Sequence, residues 1–261
     1  MTLVRYESAD RVATITMDRR EKHNALNGAL CEELRQAWLT FRDSDDRVAV
    51  LASAEDAYFS VGADVKDFPV NMWHAVPGLG VELDKPVIAA TSGWVVGGGF
   101  VLVQMADMCI ASETTRFTYP EAKIGTTAGG ISSVVARMPH KIAMEFLLVG
   151  EELSVERAYQ IGFVNRIAPK GQHIVQAQEM AAKIAANAEE ARARRHAEGT
   201  AGDGRRGAPA ARCRPRERRF QGRRQGVRRE TQTAIQGKIT ATSSLRGAKR
   251  GGASHRPVAF Q

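Results

Sequence analysis

Three stretches of the chain carry residue types suited to chemistry: Ser60-Val61-Gly62-Ala63-Asp64-Val65-Lys66, Gly93-Trp94-Val95-Val96-Gly97-Gly98-Gly99-Phe100, and Tyr119-Pro120-Glu121 with Gly125-Thr126-Thr127-Ala128-Gly129-Gly130. Glycines in succession, after a strand-like run and before an apolar helical one, let the backbone approach a ligand closely, and the free N–H groups at a helix start favour a developing negative charge. An oxyanion site is therefore one reading of residues 97–99. A tight turn with close helix packing is the other, and the glycines alone do not separate the two. Glu121 is open in the same way, either a proton-transfer carboxylate or a solvated or capping glutamate.

The elements that must position these stretches follow from hydrophobic periodicity. Residues 3–6 and 12–17, separated by the polar Glu7-Ser8-Ala9-Asp10, predict a hairpin. Leu30, Leu34, Trp38 and Phe41 recur at helical spacing, with Cys31 beside them. Residues 47–52 and 86–90 read as buried strands, each followed by a glycine-containing loop and a helical stretch. Further short strands are expected within 105–112 and at Phe117, and helices over 144–150, 155–162 and 174–187. Strands alternating with helices indicate an α/β fold with crossover connections over residues 1–190. Residues 191–261 are crowded with Arg, Gly, Ala and Gln and carry too few large apolar residues to offset their ordering entropy, so they read as a low-complexity basic tail.

Taken together, the stretches resemble the crotonase (enoyl-CoA hydratase/isomerase) family in order, spacing and strand-loop-helix setting. Arg19-Arg20-Glu21-Lys22-His23-Asn24-Ala25-Leu26 is similar to that family's first CoA-binding loop, R-P-x-x-x-N-A-L, and Gly62-Ala63-Asp64-Val65-Lys66 to its G-A-D-[IL]-K. Lys85-Pro86-Val87-Ile88-Ala89-Ala90, Gly93 and Gly97-Gly98-Gly99 resemble its K-P-x-I-A-A-x-x-G-x-x-x-G-G-G. Ala106-Asp107, Pro120-Glu121 and Ile161-Gly162-Phe163-Val164-Asn165 continue the match, which runs to about residue 188. The resemblance implies a crotonase-type spiral of repeated ββα units and an acyl-CoA substrate. It assigns the enolate oxygen of a thioester to the backbone N–H groups of Ala63 and Gly98. It places Lys22, Ala25, Ala63, Asp64, Val65, Gly97, Gly98 and Val101 along the CoA and acyl path, with coenzyme A entering as substrate and no cofactor or metal required.

Departures from the family pattern bear on the reaction. Hydratases of this family hold water between two glutamates, and here Val101 stands at the first position while Glu121 keeps the second. Hydration needs a base for water and a donor for Cα, whereas moving a double bond needs one carboxylate, so the pattern resembles the isomerase branch with Glu121 as single proton shuttle. A hydratase reading requires a substitute acid, for which Asp67, His74, Glu82 and Tyr119 are the candidates. Arg20 replaces the loop proline, the segment between Lys66 and Lys85 is short, and residues 125–130 lack the family's G-x-x-P-G-x-G-G form.

The formal charge of +8 is unevenly distributed. Residues 188–261 hold 19 Lys and Arg against 6 Asp and Glu, leaving 18 against 23 in residues 1–187. A basic tail admits an RNA-binding reading, known in one branch of the family, and an inactive CoA-binding protein is a third possibility, but nucleic acid is not the favoured partner. One choice of codons for residues 229–240, read one base later, gives EKRKPQFKGK and a stop, similar to the carboxyl end of family members. The sequence is therefore read as leaving its ancestral frame near Ala188, losing helices that in relatives cover the acyl pocket and help to build a homotrimer or dimer of trimers. Cys31, Cys109 and Cys213 lack metal or redox spacing. With neither a signal-like N-terminus nor a membrane-length apolar run, a cytoplasmic protein is expected.

Overall fold

A computed structural model describes residues 2–125 and 129–201 of the chain. Strands β1 (Val4–Ala9) and β2 (Val12–Met17) form the expected antiparallel hairpin, but its turn is Asp10-Arg11 rather than Glu7-Ser8-Ala9-Asp10. Both turn residues have positive φ, 51° and 62°, the two-residue geometry whose twist matches that of the flanking strands. Helix α1 (Gly28–Asp43) buries Leu30, Cys31, Leu34, Ala37, Trp38 and Phe41, and the Asn27 side chain caps it by accepting from the Leu30 N–H.

From there the chain repeats one move. Strand β3 (Val48–Ser53) enters a large sheet and β4 (Tyr58–Ser60) a small one; β5 (Val87–Thr91) and β6 (Trp94–Val96) do the same before helix α2 (Gly98–Met105). Strands β7 (Met108–Ser112) and β8 (Arg116–Thr118) repeat it ahead of α3 (His140–Val149). Strand β9 (Leu153–Ser154), helix α4 (Val155–Gln160), strand β10 (Arg166–Ala168) and helix α5 (His173–Ala201) complete the described residues. The large sheet runs β1-β2-β3-β5-β7-β10, parallel from β2 onward, and the small one β4-β6-β8-β9. Successive strand pairs thus advance along two sheets at once, the ββα spiral that the sequence implies.

Both faces of the large sheet are covered. Ala49, Leu51, Val87 and Ala89 face the main core with α1 and α2, while Val48, Val50, Ala52, Ile88, Ala90 and Ile110 face Ala177, Ala181 and Ala185 of α5. This is why residues 48–52 of β3 read as an unbroken apolar run rather than an alternating one. Met105 ends α2 instead of opening a strand, and α5 runs past residue 187 to Ala201. Residues 188–201 are rich in Ala, Glu and Arg, all strong helix formers, which propensity favours even without an apolar stripe. The boundary expected at residue 190 falls inside this helix; residues 202–261, with most of the basic tail, the codon run at 229–240 and Cys213, lie outside the described residues.

Candidate active site

The parallel pairing of β4 with β6 in the small sheet brings Gly62-Ala63, just past the end of β4, against Gly97-Gly98, at the end of β6. Gly62 O accepts from Leu26 N at 2.7 Å and Asp64 N donates to Leu26 O at 2.8 Å. In this parallel bridge the neighbours of Ala63 take both ladder bonds. Because C=O and N–H lie on opposite sides of a planar trans peptide, the Ala63 N–H points away from Leu26. Gly98 is the first residue of α2, where an N–H has no partner within the helix. Neither N–H donates to another group among the described residues.

The two amides border one space. A Cβ on Gly62 would stand 3.2 Å from the Gly98 nitrogen, and one on Gly98 would stand 3.6 Å from the Ala63 nitrogen, 2.9 Å from Met72 Sδ and 3.0 Å from Leu26 Cδ1. Leu26 and Met72 therefore form apolar walls beside the free donors. Met72 belongs to a short 3₁₀ turn, Met72–Ala75, fixed at its far end where the buried Trp38 Nε1–H donates to Ala75 O at 2.8 Å. Leu26 belongs to the loop motif quoted from the sequence, whereas Met72 did not stand out there, since an isolated Met carries no motif.

Glu121 lies in a 3₁₀ turn, Pro120–Ile124, that follows β8. Its Oε1 is 2.5 Å from the point where a Cβ on Gly97 would stand, so only a glycine at 97 leaves room for the carboxylate. Gly97 also has φ 49° and ψ −112°, a conformation unfavourable for residues with a Cβ, and its N–H is held by Thr118 O at 3.1 Å. The Glu121 Oε2 is buried without a hydrogen-bond partner among the described residues, and burial raises its pKa above the ordinary glutamate value. Carboxylate and donor pair thus meet at the Gly97–Gly98 peptide. An acidic Cα–H set between them would lose its proton on one side while charge gathered on the other.

The remaining sequence candidates distribute as follows. Ala25 is buried, Asp64 is partly buried, and Lys22 and Val65 are exposed, Val65 at 85%. Lys22 sits in a 3₁₀ turn, Arg20–Lys22, whose exit through His23 and Asn24 takes positive φ. Arg19, unremarked as a side chain in the sequence, joins this loop to Asp64 at 2.8 Å. Thr126-Thr127-Ala128 lie outside the described residues.

Comparison with known proteins bears on what such a site serves. The family described as Enoyl-CoA hydratase/isomerase matches residues 7–198. A probable mitochondrial enoyl-CoA hydratase from Dictyostelium discoideum is 31% identical over 193 residues, covering 69% of this chain and 68% of that protein. A carnitinyl-CoA dehydratase from Salmonella typhi is 33% identical over 186 residues, covering 66% and 70%. Among solved structures, an enoyl-CoA hydratase from Mycobacterium tuberculosis superposes with TM-score 0.66 at 35% identity over 70% of this chain and 76% of that one. The chain belongs to the enoyl-CoA hydratase/isomerase family.

Within this enoyl-CoA hydratase/isomerase fold the residue at the missing-glutamate position, Val101, is 4% exposed and part of the main core. The candidate substitutes are scattered. Asp67 is exposed and accepts from Asn27 Nδ2 at 2.8 Å; His74 packs edge-on against Trp73; Glu82 is exposed on its loop. Tyr119 alone of the four is buried, 1% exposed between Phe100 and Phe146, with its hydroxyl unpartnered among the described residues. Burial and the neighbouring Glu121 charge both push its phenol pKa upward. Among the described residues no helix is long and apolar enough to cross a membrane.

Proposed function

We propose that the protein is an acyl-CoA enzyme in which Glu121 takes a proton from the thioester Cα while the Ala63 and Gly98 N–H groups stabilise the enolate oxygen. The observation that carries this reading is the seating of the Glu121 carboxylate against Gly97, one peptide from a free helix-start N–H. A thioester Cα–H is a weak acid, and donors already aimed at the oxyanion need no reorganisation as charge develops. Glu121 then returns the proton to the same carbon or to Cγ, and the second course moves the double bond. With Val101 apolar and buried, no second carboxylate stands at that position to orient water, which favours isomerase-like chemistry over hydration. Coenzyme A follows the loop of Lys22 and Ala25 and the segment Ala63-Asp64-Val65, largely through main-chain contacts. The family resemblance further supports a homotrimer or dimer of trimers.

A hydratase or dehydratase reading is the second possibility. It is favoured by the buried, unpartnered Tyr119 hydroxyl close to Glu121, which offers a neutral donor where the usual glutamate is missing.

The test is Cα-proton exchange of butyryl-CoA in D2O, followed by NMR, beside hydration of crotonyl-CoA. Exchange by the wild type with slow hydration is expected. Glu121→Gln should lower exchange by about 10²–10⁴-fold with little change in CoA-thioester affinity, the pattern of a group used in the transition state. Fast hydration that survives Glu121→Gln would refute the assignment, and hydration lost in Tyr119→Phe would favour the second reading.

A further inference from the structure

Beside the donor pair lies an ion pair that the proposed reaction does not itself use. Arg19 Nη1 donates to Asp64 Oδ2 and to Ala25 O, both at 2.8 Å, and the side chains of Arg19 and Asp64 are only 12% and 11% exposed. The two acceptors flank the Leu26–Ala63 bridge, Ala25 preceding Leu26 and Asp64 following Ala63. One guanidinium nitrogen therefore ties together both strands of the bridge from its outer side.

Asp64 is held at three points. Its N–H donates to Leu26 O at 2.8 Å, and its Oδ1 accepts from Lys66 N at 3.0 Å and Asp67 N at 3.3 Å. Its Oδ2 is taken by Arg19. Arg19 is anchored in turn, its own N–H donating to Asn24 Oδ1 at 2.8 Å while Asn24 Nδ2 reaches Ser53 Oγ and Phe59 O inside the core. The direction of the Ala63 N–H is set by the Gly62–Ala63 peptide plane, and that plane is fixed by Leu26 on one side and by the backbone path into Asp64 on the other. A chain of buried bonds thus runs from the core through Arg19 to the residue beside the free donor.

We infer that Arg19 is a positioning residue, whose grip on Ala25 O and Asp64 aims the Ala63 N–H at the thioester oxygen. The inference rests on the donor-pair reading above. Arginine suits the task because the two N–H bonds of its planar Nη1 point at fixed angles, which a rotating lysine ammonium does not reproduce. A purely structural ion pair would contribute to stability and leave the polarisation of a bound carbonyl unchanged.

The distinguishing readout is the infrared stretch of the thioester carbonyl in bound butyryl-CoA labelled with ¹³C at C1, measured beside kcat and KM for Cα exchange. Asp64→Asn keeps an oxygen for the Lys66 and Asp67 N–H groups but turns an amide donor toward Arg19, so it breaks the clamp with little loss of volume. The wild-type carbonyl is expected to shift to lower frequency on binding, and Asp64→Asn to lose most of that shift with kcat lowered about 10²-fold, the scale of a small misplacement, and KM little changed. Arg19→Lys is expected to fall between the two and gives a second route if Asp64→Asn does not fold. Retention of the wild-type shift and kcat in whichever variant folds would overturn the clamp while leaving the donor pair intact. A wild-type carbonyl that does not shift would remove the donor pair itself, and the clamp with it.

Discussion

Glu121 combines two properties that usually conflict, a buried carboxylate and a fixed position. Burial holds its pKa above the ordinary glutamate value, so the rate of Cα exchange should rise with pH along an acid limb displaced upward from that of an exposed glutamate. The pH profile of kcat/KM, which reports the free enzyme, reads this directly, and a limb at the ordinary glutamate value would place the base elsewhere. Raising the pKa also costs stability as the group ionises, since the folded state keeps the proton longer than the unfolded chain does. Position comes from Gly97. A methyl group there would overlap Oε1, so Gly97→Ala should push the carboxylate away and lower exchange by about 10²-fold, with acyl-CoA affinity largely kept. Wild-type exchange in that variant would show that the carboxylate moves freely.

At the scale of elements, the site depends on the ends of neighbouring strands β4, β6 and β8 in the small sheet, and on helices that hold the sheets in place. Helix α5 lies on the large sheet through Ala177, Ala181 and Ala185, residues small enough to let it settle directly on Val48, Val50 and Ile88. Ala181 is fully buried there. Ala181→Leu should lift the helix and cost about 1–3 kcal/mol by overpacking, read as a lower urea midpoint with an unchanged slope. A midpoint equal to wild type would mean that the contact is looser than its burial suggests.

Stability of the whole molecule carries a second pH dependence, of opposite sign to that of Glu121. His173 opens α5, is 2% exposed, and has a buried Nδ1 without a partner among the described residues. Burial depresses its pKa below 6.5, with the Asp56 charge acting weakly the other way. Below pH 6.5 the unfolded chain therefore takes up a proton before the folded one does, and the stability that the neutral ring allows is lost as pH falls toward the folded value. The difference in melting temperature between wild type and His173→Asn should narrow or reverse on that acid side. A constant difference from pH 7.5 to about pH 5 would rule out this titration.

Much of this molecule was legible in the sequence because its signals are local. The β-branched runs of β2, β3 and β5, the spacing of Leu30, Leu34, Trp38 and Phe41, and the glycines at 62 and 97–99 each follow from the backbone geometry their own segment requires. Those patterns, with the motif resemblance, sufficed for the α/β class, the ββα spiral and the family. Ala63, Gly98 and Glu121 became candidates through the resemblance, since the glycine runs and the Pro-Glu pair by themselves left a structural reading open. The hairpin turn and the length of α5 were misjudged because Asp10-Arg11 lacks a glycine and residues 188–201 lack an apolar stripe. What tertiary structure alone decided is distance. Arg19 and Asp64 are remote in the chain, as are Gly97 and Glu121, and Met72 reaches Gly98 only because Trp38 fixes the far end of its turn. No periodicity records such meetings, because they arise where strand pairing and packing bring the ends of different strands to one place.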